Sequence, residues 1–217
     1  MTAVIFDMDG TLLDTERIYQ KYWNIAAKEQ GYSITEEQML LFRSLGRSFA
    51  IKLMEELTGD KEAYDKIRNN RKRLMEPIMD ESDIPLKPTV EEALQKLKKN
   101  GFITAIATAT EVKRAEEYLG RAGIREYFDE ILSTKQVSLG KPAPDVYLYA
   151  CEKLGVKPED TFAIEDSPNG IRSAAAAGCR TIMIPDLTEP DDEMRSLIEY
   201  SKPTLMEAVE YMMRKDY

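Results

Sequence analysis

Short apolar runs separated by polar stretches are the clearest pattern along the chain. Each run is a few residues long, rich in β-branched residues and bounded by turn-forming or polar residues, as buried strands of a parallel sheet are. Four such runs occupy residues 3–6, 102–107, 161–164 and 181–184, and a weaker candidate occupies residues 130–133. We therefore expect these segments to form one parallel sheet.

Helical periodicity fills the intervals between these runs. The apolar faces consist of Val90, Ala93, Leu94 and Leu97 in one segment and of Val112, Ala115, Leu119 and Ala122 in another. Thr89 and Glu92 predict a capping box at the start of the first helix. Ser167 as N-cap and Pro168 at the first helical position predict a third helix, which ends at Gly178. Strands that alternate with helices predict an α/β fold with a doubly wound parallel sheet.

One long segment interrupts the alternation. Residues 15–83 contain several helical stretches and no convincing strand, and residues 84–88, with two prolines, read as a stiff returning linker. The sequence thus predicts two domains. Residues 1–14 and 84–217 form the α/β core domain, and residues 15–83 form an inserted helical domain.

Composition narrows the classes of function. The formal net charge of −9 argues against nucleic acid as the partner, because binding a phosphate backbone requires clustered Lys and Arg. A small anionic substrate remains compatible, since the charge inside a pocket can oppose the net charge. The chain has no histidine, which excludes Ser-His-Asp and Cys-His catalysis and the common zinc sites that contain histidine.

Cysteine use and hydropathy bear on location and partners. Cys151 and Cys179 lack metal-ligand spacing and lie in or beside Ala-rich helical stretches, so we expect buried free thiols in a reducing compartment. No apolar run is long enough to span a membrane, and the chain does not start with a basic segment followed by an apolar stretch. We expect a cytoplasmic protein without membrane contacts, present as a monomer or weak homodimer.

Acidic residues follow the first predicted strand. Asp7 and Asp9 are two residues apart, so their side chains can point the same way, and Gly10 then allows a sharp turn. In open α/β sheets ligands bind at the carboxyl ends of the strands, which is where this segment lies. Taken alone, the motif is also compatible with an Asx-rich turn. A calcium loop would need a helix–loop–helix context and a downstream Glu, and the preceding strand disfavours it.

A second acidic pair follows another strand. Glu165 and Asp166 end the run at residues 161–164 and precede a helix start. Two acidic pairs at neighbouring strand ends repel one another unless a cation lies between them. Mg²⁺ is the natural candidate, because this hard ion binds a few carboxylates together with water and substrate phosphate.

Two further strand ends supply complementary groups. Thr108 follows the run at residues 102–107, and its hydroxyl is able to donate to a phosphate oxygen, although Thr is ordinary in strands. Lys141 is a single cation in a loop bracketed by Pro142 and Pro144. A solvated surface lysine is the ordinary alternative for this residue.

In this order, these motifs resemble the haloacid dehalogenase superfamily. The matching elements are Asp7-x-Asp9-Gly10-Thr11, Thr108, Lys141 and Glu165-Asp166, and they span most of the chain. Three further segments resemble the helical-cap subfamily (IA), which includes β-phosphoglucomutase-like phosphatases. They are LLDT from residue 12, GKPAPD from residue 140 and IEDSPNGIRSAAAAG from residue 164. The resemblance implies a Rossmann-like core, with the helical insert as a cap.

The resemblance also implies a division of labour among the acidic residues. Asp7 would attack phosphorus and form an aspartyl-phosphate, while Asp9 would protonate the leaving oxygen and then activate water. Asp7, the Asp9 main-chain carbonyl and Asp166 would bind Mg²⁺, with Glu165 as a direct or water-mediated ligand. The presence of Asp9 favours the hydrolysis of phosphate esters over the reactions of the dehalogenase and ATPase branches of the superfamily.

The phosphoryl group would be held by residues of other strand ends. By the same resemblance, Thr108 and Lys141 would bind the transferring group, and Lys141 would also offset the charge of Asp7. Gly10 and Ala109 complete the expected set on the core. From the cap, Arg47 is the candidate for binding a polar substrate.

The sequence departs from the mutases of this subfamily at two cap positions. They have a histidine where this chain has Tyr19 or a neighbour, and an arginine near the position of Phe49. Both departures favour hydrolysis over isomerisation. Arg43 and Arg47 could bind substrate from the cap, but arginines are mostly exposed, and we expect these two to be solvated surface residues.

Three functional hypotheses follow. The leading one is Mg²⁺-dependent hydrolysis of a small phosphate monoester, such as a sugar phosphate, by a phosphoric monoester hydrolase. The first alternative is a phosphomutase of the β-phosphoglucomutase type, which would retain a bisphosphate intermediate. The second is a catalytically idle protein that binds a phosphorylated metabolite, because fold alone does not fix function.

Overall fold

A six-stranded parallel sheet forms the centre of the molecule. The structure is a computed structural model that describes residues 2–215. The strands are Ala3–Phe6 (β1), Ile103–Thr108 (β2), Glu130–Ser133 (β3), Thr161–Glu165 (β4), Arg180–Met183 (β5) and Tyr200–Ser201 (β6). They lie in the order β3-β2-β1-β4-β5-β6, and each neighbouring pair is parallel. All five predicted strands are present, and β6, a two-residue edge strand, is the one that the pattern did not reveal.

The register of the sheet brings the predicted motifs together. Phe6, at the end of β1, pairs with Ile106 of β2 on one side and with Ile164 of β4 on the other. The residues that follow these three lie side by side at the carboxyl edge, and the Asp7 amide donates to the Ile164 carbonyl at 2.9 Å. The central position of β1 therefore places its acidic motif between the ends of β2 and β4.

Four helices lie between β1 and the returning linker at residues 84–88. They are Glu16–Glu29 (α1), Glu36–Leu40 (α2), Arg47–Thr58 (α3) and Ala63–Glu81 (α4). These helices have an apolar cluster of their own, in which the ring of Trp23 packs against Phe42 and Tyr64. The helical character expected for this segment is thus confirmed, whereas the division into two domains at residues 15 and 83 stays a prediction.

The two connections to the helical segment run side by side. The Asp14 amide donates to the Pro85 carbonyl and the Lys87 amide donates to the Leu12 carbonyl, both at 2.8 Å. Leu13 and Leu86 form an antiparallel bridge between these bonds. The chain therefore leaves and re-enters the α/β region through a narrow pair of strands.

Helices cover both faces of the sheet. They are Val90–Lys99 (α5), Val112–Arg121 (α6), Asp145–Leu154 (α7), Pro168–Ala176 (α8), Asp192–Leu197 (α9) and Leu205–Lys215 (α10). Apolar residues of α5, α6 and α10 belong to one core cluster, and those of α7 and α8 belong to a second cluster across the sheet. The predicted doubly wound architecture is confirmed.

Local predictions have mixed outcomes. The Ser167 hydroxyl accepts from the Gly170 amide at 3.1 Å, which confirms the N-cap of α8. The capping box of Thr89 and Glu92 was wrong, because Thr89 is left-handed, with φ of 64°, and its hydroxyl accepts from the Met206 amide instead.

Two expectations about the whole chain can also be compared with the structure. Cys151 and Cys179 are free thiols and both are buried, as expected. Within residues 2–215, no helix combines the length and the apolar character that crossing a bilayer would require.

Candidate active site

The turn after β1 brings two acidic side chains to the edge of the sheet. Gly10 has a φ of 87°, a left-handed conformation that favours glycine. A Cβ at this position would overlap the Asp166 carboxylate and lie 2.8 Å from Glu16 Cγ. The Gly10 amide donates to the Leu13 carbonyl at 2.8 Å. Gly10 thus makes the turn possible, and its contact with substrate stays a prediction.

Lys141 is the buried cation of the site. Its Nζ donates to Asp7 Oδ1 at 2.5 Å, to Glu165 Oε1 at 2.6 Å and to the Ala107 carbonyl at 2.9 Å. Burial acts to lower the pKa of Lys141, but the charges of Asp7 and Glu165 outweigh it and hold this pKa above its usual range. Lys141 is therefore cationic and fully enclosed, and the surface-lysine alternative was wrong.

Glu165 is held by a partner that the sequence did not reveal. The Tyr147 hydroxyl donates to Glu165 Oε1 at 2.7 Å, and the Ser167 hydroxyl reaches Oε2 at 3.4 Å. Tyr147 is fully buried within α7. Its apolar neighbours in the sequence predict only a core position, and no local signal marks it as a partner of the acidic pair.

Three carboxylates form a candidate cation site. One oxygen each from Asp7, Glu165 and Asp166 lie within 4.8 Å of one another, and all three residues are buried. Asp7 Oδ2 is buried without any hydrogen-bond partner. Burial raises the pKa of Asp7, and the charge of Lys141 only partly opposes this effect. Three buried carboxylates whose oxygens converge form the kind of donor set that a hard divalent cation prefers.

Asp9 belongs to a separate part of the site. Its Oδ1 accepts from the Thr15 hydroxyl at 2.7 Å and its Oδ2 from the Thr110 hydroxyl at 2.9 Å. Burial raises the pKa of Asp9, against the opposing effect of these two hydrogen bonds. The predicted Thr108 hydroxyl lies close by and accepts from the Thr110 amide at 3.0 Å, and Ala109 lines the same cavity.

Arg43 closes the site from the helical segment. Its Nη2 donates to Asp166 Oδ2 and its Nη1 donates to the Thr188 hydroxyl at 3.0 Å. Its guanidinium also lies 3.8 Å from Glu16 and 4.0 Å from Asp186. We expected a solvated arginine, and this was wrong because Arg43 is 4% exposed. The acidic residues that bury it are distant in the sequence, so no local pattern revealed its position.

Arg47 lies further from the acidic cluster. It lines the cavity as predicted, but its guanidinium pairs with Asp65 at 2.7 Å and its side chain is 44% exposed. The surface position expected for this residue is therefore present. A contact between Arg47 and substrate stays a prediction.

A cavity of about 410 Å³ lies between this edge of the sheet and the helical segment. Asp7, Asp9 and Thr108 line its floor, and residues of α1, α3 and α4 line its roof. Its size suits a small organic ligand. The structure thus brings Asp7, Thr108, Lys141 and both acidic pairs together at the carboxyl edge of the sheet, as the sequence predicted.

Comparisons with known proteins identify the family of the chain. A family model described as haloacid dehalogenase-like hydrolase matches residues 1–178. The "Phosphorylated carbohydrates phosphatase" of Thermotoga maritima is 33% identical over 186 residues, which cover 84% of each chain. The crystal structure of CbbY from Rhodobacter sphaeroides in complex with phosphate matches with a TM-score of 0.76 and 30% identity, covering 95% of this chain and 96% of that one.

The fold itself has a further counterpart. A hydrolase from Pseudomonas syringae superposes with a TM-score of 0.87 over 99% of both chains, and its 19% identity limits the likeness to the fold. The match of the family model covers β1 to α8 and includes Asp7, Asp9, Glu165 and Asp166. The chain therefore belongs to the haloacid dehalogenase-like hydrolase family, and the resemblance predicted from its motifs is confirmed.

Proposed function

We propose that the chain hydrolyses a phosphate monoester of a small carbohydrate or a similar metabolite, with Asp7 as nucleophile. Hydrolysis of a phosphoric monoester agrees with the names of several relatives, which are phosphatases. The observation that carries the proposal is the asymmetry of the Asp7 carboxylate. Lys141 fixes Oδ1 at 2.5 Å, while Oδ2 is buried and has no partner. An oxygen held in this way is ready to bond to phosphorus.

The reaction divides into two displacements. In the first, Asp7 Oδ2 bonds to phosphorus and the bond from phosphorus to the leaving oxygen breaks, while Asp9 gives its proton to that oxygen. In the second, Asp9 takes a proton from water, the water oxygen bonds to phosphorus and the bond to Asp7 breaks. The raised pKa of Asp9 supports its role as the acid.

The buried charges support the transfer step. Lys141 pairs with both Asp7 and Glu165 and offsets part of their negative charge, which helps the anionic phosphoryl group to approach the Asp7 carboxylate. The Thr108 hydroxyl hydrogen is free to donate to a phosphoryl oxygen, since the hydroxyl oxygen accepts from the Thr110 amide. Both groups are held by strand ends and not by flexible tips, so they need little reorganisation.

The acidic cluster fits Mg²⁺ as the cofactor. Asp7, Asp166 and the Asp9 main-chain carbonyl would hold the ion, with Glu165 as a further ligand. When bound, the ion would neutralise phosphate charge, as hard cations do in phosphoryl transfer. Both oxygens of the Asp9 side chain accept from threonine hydroxyls, so this side chain is separate from the carboxylates that would hold the ion.

The nucleophile is tested by removing one charge. Asp7→Asn and Asp9→Asn should each abolish hydrolysis of an aryl phosphate in Mg²⁺, and a chelator should abolish the activity of the unmodified protein. Asp192→Asn is the matched control, because the Asp192 carboxylate is fully exposed on the surface of the α/β part of the chain. Full activity of Asp7→Asn would disprove the assignment of the nucleophile.

A phosphomutase is the second candidate. It is favoured by likeness to a structure described as putative β-phosphoglucomutase from Thermotoga maritima, which matches with 28% identity and a TM-score of 0.69. Against it, Tyr19 lines the cavity where a histidine would serve the mutase cycle. Incubation with β-glucose 1-phosphate and a trace of its bisphosphate separates the two. Glucose 6-phosphate without free phosphate would favour the mutase.

A further inference from the structure

The roof of the cavity is basic although the protein as a whole is acidic. The net charge is −9, yet Arg47, Arg68, Arg71, Lys72, Arg114 and Lys135 all line this cavity. Three of them have carboxylate partners: Arg47 with Asp65 at 2.7 Å, Lys72 with Glu76 at 3.6 Å and Arg114 with Asp80 at 2.6 Å.

The other three cations are different. Within residues 2–215, Arg68, Arg71 and Lys135 form no ion pair with a carboxylate. We call these three residues the cation triad. Arg68 and Arg71 lie in α4, and Lys135 follows β3 at the rim of the cavity. The triad therefore joins the roof and the floor of the chamber.

Arg71 is the most constrained member of the triad. Its guanidinium lies 4.5 Å from the ring centre of Trp23 and 5.1 Å from that of Tyr19. Its Nε is buried without a hydrogen-bond partner, and burial lowers its pKa. Aromatic faces hold the charge in place but leave its in-plane donors unused. Such a guanidinium is preorganised for an anion.

The members of the triad lie close enough to repel one another. Partial burial, and then the charges of Arg68, Arg47 and Lys72, lower the pKa of Lys135. The nearby Glu111 acts in the opposite direction but more weakly. Lys135 is exposed at the rim, so water screens part of this repulsion, and an anionic ligand in the cavity would relieve the rest.

The position of the triad indicates how a ligand would lie. Arg71 and Asp9 line the same cavity, Arg71 from α4 and Asp9 from the turn after β1. A phosphoryl group at Asp7 would occupy the acidic end of the cavity, and the rest of the substrate would extend past Asp9 towards the roof. A cavity of about 410 Å³ has room for a sugar-sized carbon chain between the two ends.

We propose that Arg68, Arg71 and Lys135 form a second anion subsite and that the substrate carries an anionic group, phosphate or carboxylate, at the end opposite the transferred phosphate. This inference rests on the proposed function for the position of the first phosphate. Fixed guanidinium donors bind such groups through charge-assisted and bidentate hydrogen bonds. The subsite would select bisphosphates or phosphorylated acids over neutral sugar phosphates.

The test measures binding without turnover. In an Asp7→Asn background with Mg²⁺, calorimetry compares two ligand pairs that differ in one charged group. They are fructose 1,6-bisphosphate with fructose 6-phosphate, and 3-phosphoglycerate with glycerol 3-phosphate. We expect the doubly anionic member of at least one pair to bind about tenfold more tightly, the usual order for one charge-assisted contact. The pair that shows the preference identifies the group.

Three substitutions then assign the preference. Arg68→Gln and Arg71→Gln should each reduce it to less than about threefold, since each removes one charged contact. Arg73→Gln should leave it intact, because Arg73 lies on the same helix with 67% of its side chain exposed and pairs with Glu29. Lys135→Gln tests the triad by a substitution outside α4, so the packing of Arg71 on Trp23 stays unchanged.

The outcomes separate the two proposals. Equal affinities within both pairs, or a preference that survives all three substitutions of the triad, would overturn the subsite. Neither result depends on turnover. A failure of the proposed function would instead appear as the lack of phosphate release by the unmodified protein from any of the four compounds.

Discussion

Gly170 leaves the space that the Glu165 carboxylate occupies. It lies in α8, and a Cβ built on it would overlap the Glu165 carboxylate, which in turn holds Lys141. The absence of a side chain at this position therefore lets the carboxylate pack against the helix backbone. Glycine is needed at this position because the Glu165 side chain approaches the helix backbone closely, and not because of the backbone dihedral angles of Gly170.

Gly170→Ala should consequently damage the site and the fold together. Overpacking of a buried site costs about 1–3 kcal/mol, and a displaced Glu165 would loosen Lys141 and lower kcat. Gly120→Ala is the matched control, because Gly120 is also helical and nothing lies within 4 Å of its added Cβ. Urea unfolding and steady-state kinetics measure the two effects. Equal behaviour of the two variants would contradict the packing argument.

Glu16 gives a pH dependence that can be isolated. It is buried beside Arg43, and burial raises its pKa to about 8, against the opposing charge of Arg43. The native state thus binds a proton at neutral pH that the unfolded state releases. The stabilisation is complete below the ordinary pKa of 4.5 and is lost as the pH rises through about 8.

Glu16→Gln mimics the protonated form and should remove this dependence. Between pH 5 and 8 the unmodified protein should lose stability relative to the variant by at most about 1.4 kcal/mol per pH unit, the value for one proton. Urea unfolding in a chelator at several pH values measures the difference. A difference that does not change with pH would show that Glu16 is ionised in the native protein.

At the scale of elements, the turn between α2 and α3 is the main contact of the helical segment with the catalytic edge. Arg43 pairs with Asp166, and the Asn169 side chain donates to the carbonyls of Leu41 and Arg43 at 3.0 and 2.9 Å. The Gly46 amide donates to the Lys141 carbonyl at 2.7 Å. One short turn is therefore bonded to two loops that carry site residues.

Arg43→Gln should destabilise the metal-free protein more than it destabilises the protein in Mg²⁺. Without the guanidinium, the buried carboxylates of Asp166 and Asp186 lose their shared counter-charge, a loss of about 3–5 kcal/mol. Mg²⁺ should recover part of this loss by binding only the native state. Urea unfolding with and without chelator measures the effect. Equal losses in both conditions would contradict a role of Arg43 in neutralising the acidic cluster.

The control for this variant is a surface pair of the same chemistry. Arg172 pairs with Glu193 at 2.6 Å, and the two side chains are 36% and 53% exposed. Arg172→Gln should cost less than about 1 kcal/mol, because exposed ion pairs contribute little. It should also show no dependence on Mg²⁺.

The same elements show what sequence patterns reveal and what they do not. The strand ends that carry Asp7 and Glu165 were predictable, because apolar runs and the parallel topology are local signals with one geometric outcome. The partners Tyr147 and Arg43 were not, since their contacts depend on how α7 and the turn after α2 dock. Thr89 shows the same limit, because its contact with Met206 overrides a local capping signal.

At the scale of the whole molecule, the helical segment meets the core at a point where two glycines touch. A Cβ on Gly46 would lie 2.8 Å from Gly140 Cα. Gly46 has a φ of −60°, which any residue adopts. Its lack of a side chain thus serves the close approach of the two parts of the chain, next to the loop that carries Lys141.

Gly46→Ala therefore tests whether closure over the cavity is needed for turnover. The added methyl group must push the turn away from Gly140, while the helices on either side keep their own packing. We expect kcat/KM to fall by about tenfold or more, because small displacements in a preorganised site are costly. The free energy of unfolding should change by less than about 1 kcal/mol, since no core contact is lost.

Hydrogen exchange should become faster in the loop around Lys141, where the Gly46 contact would be weakened, and Gly120→Ala should leave both measurements unchanged. Full activity together with unchanged exchange would show that the approach of Gly46 to Gly140 contributes nothing to catalysis, and would remove the support for treating residues 15–83 as a unit that closes over the core.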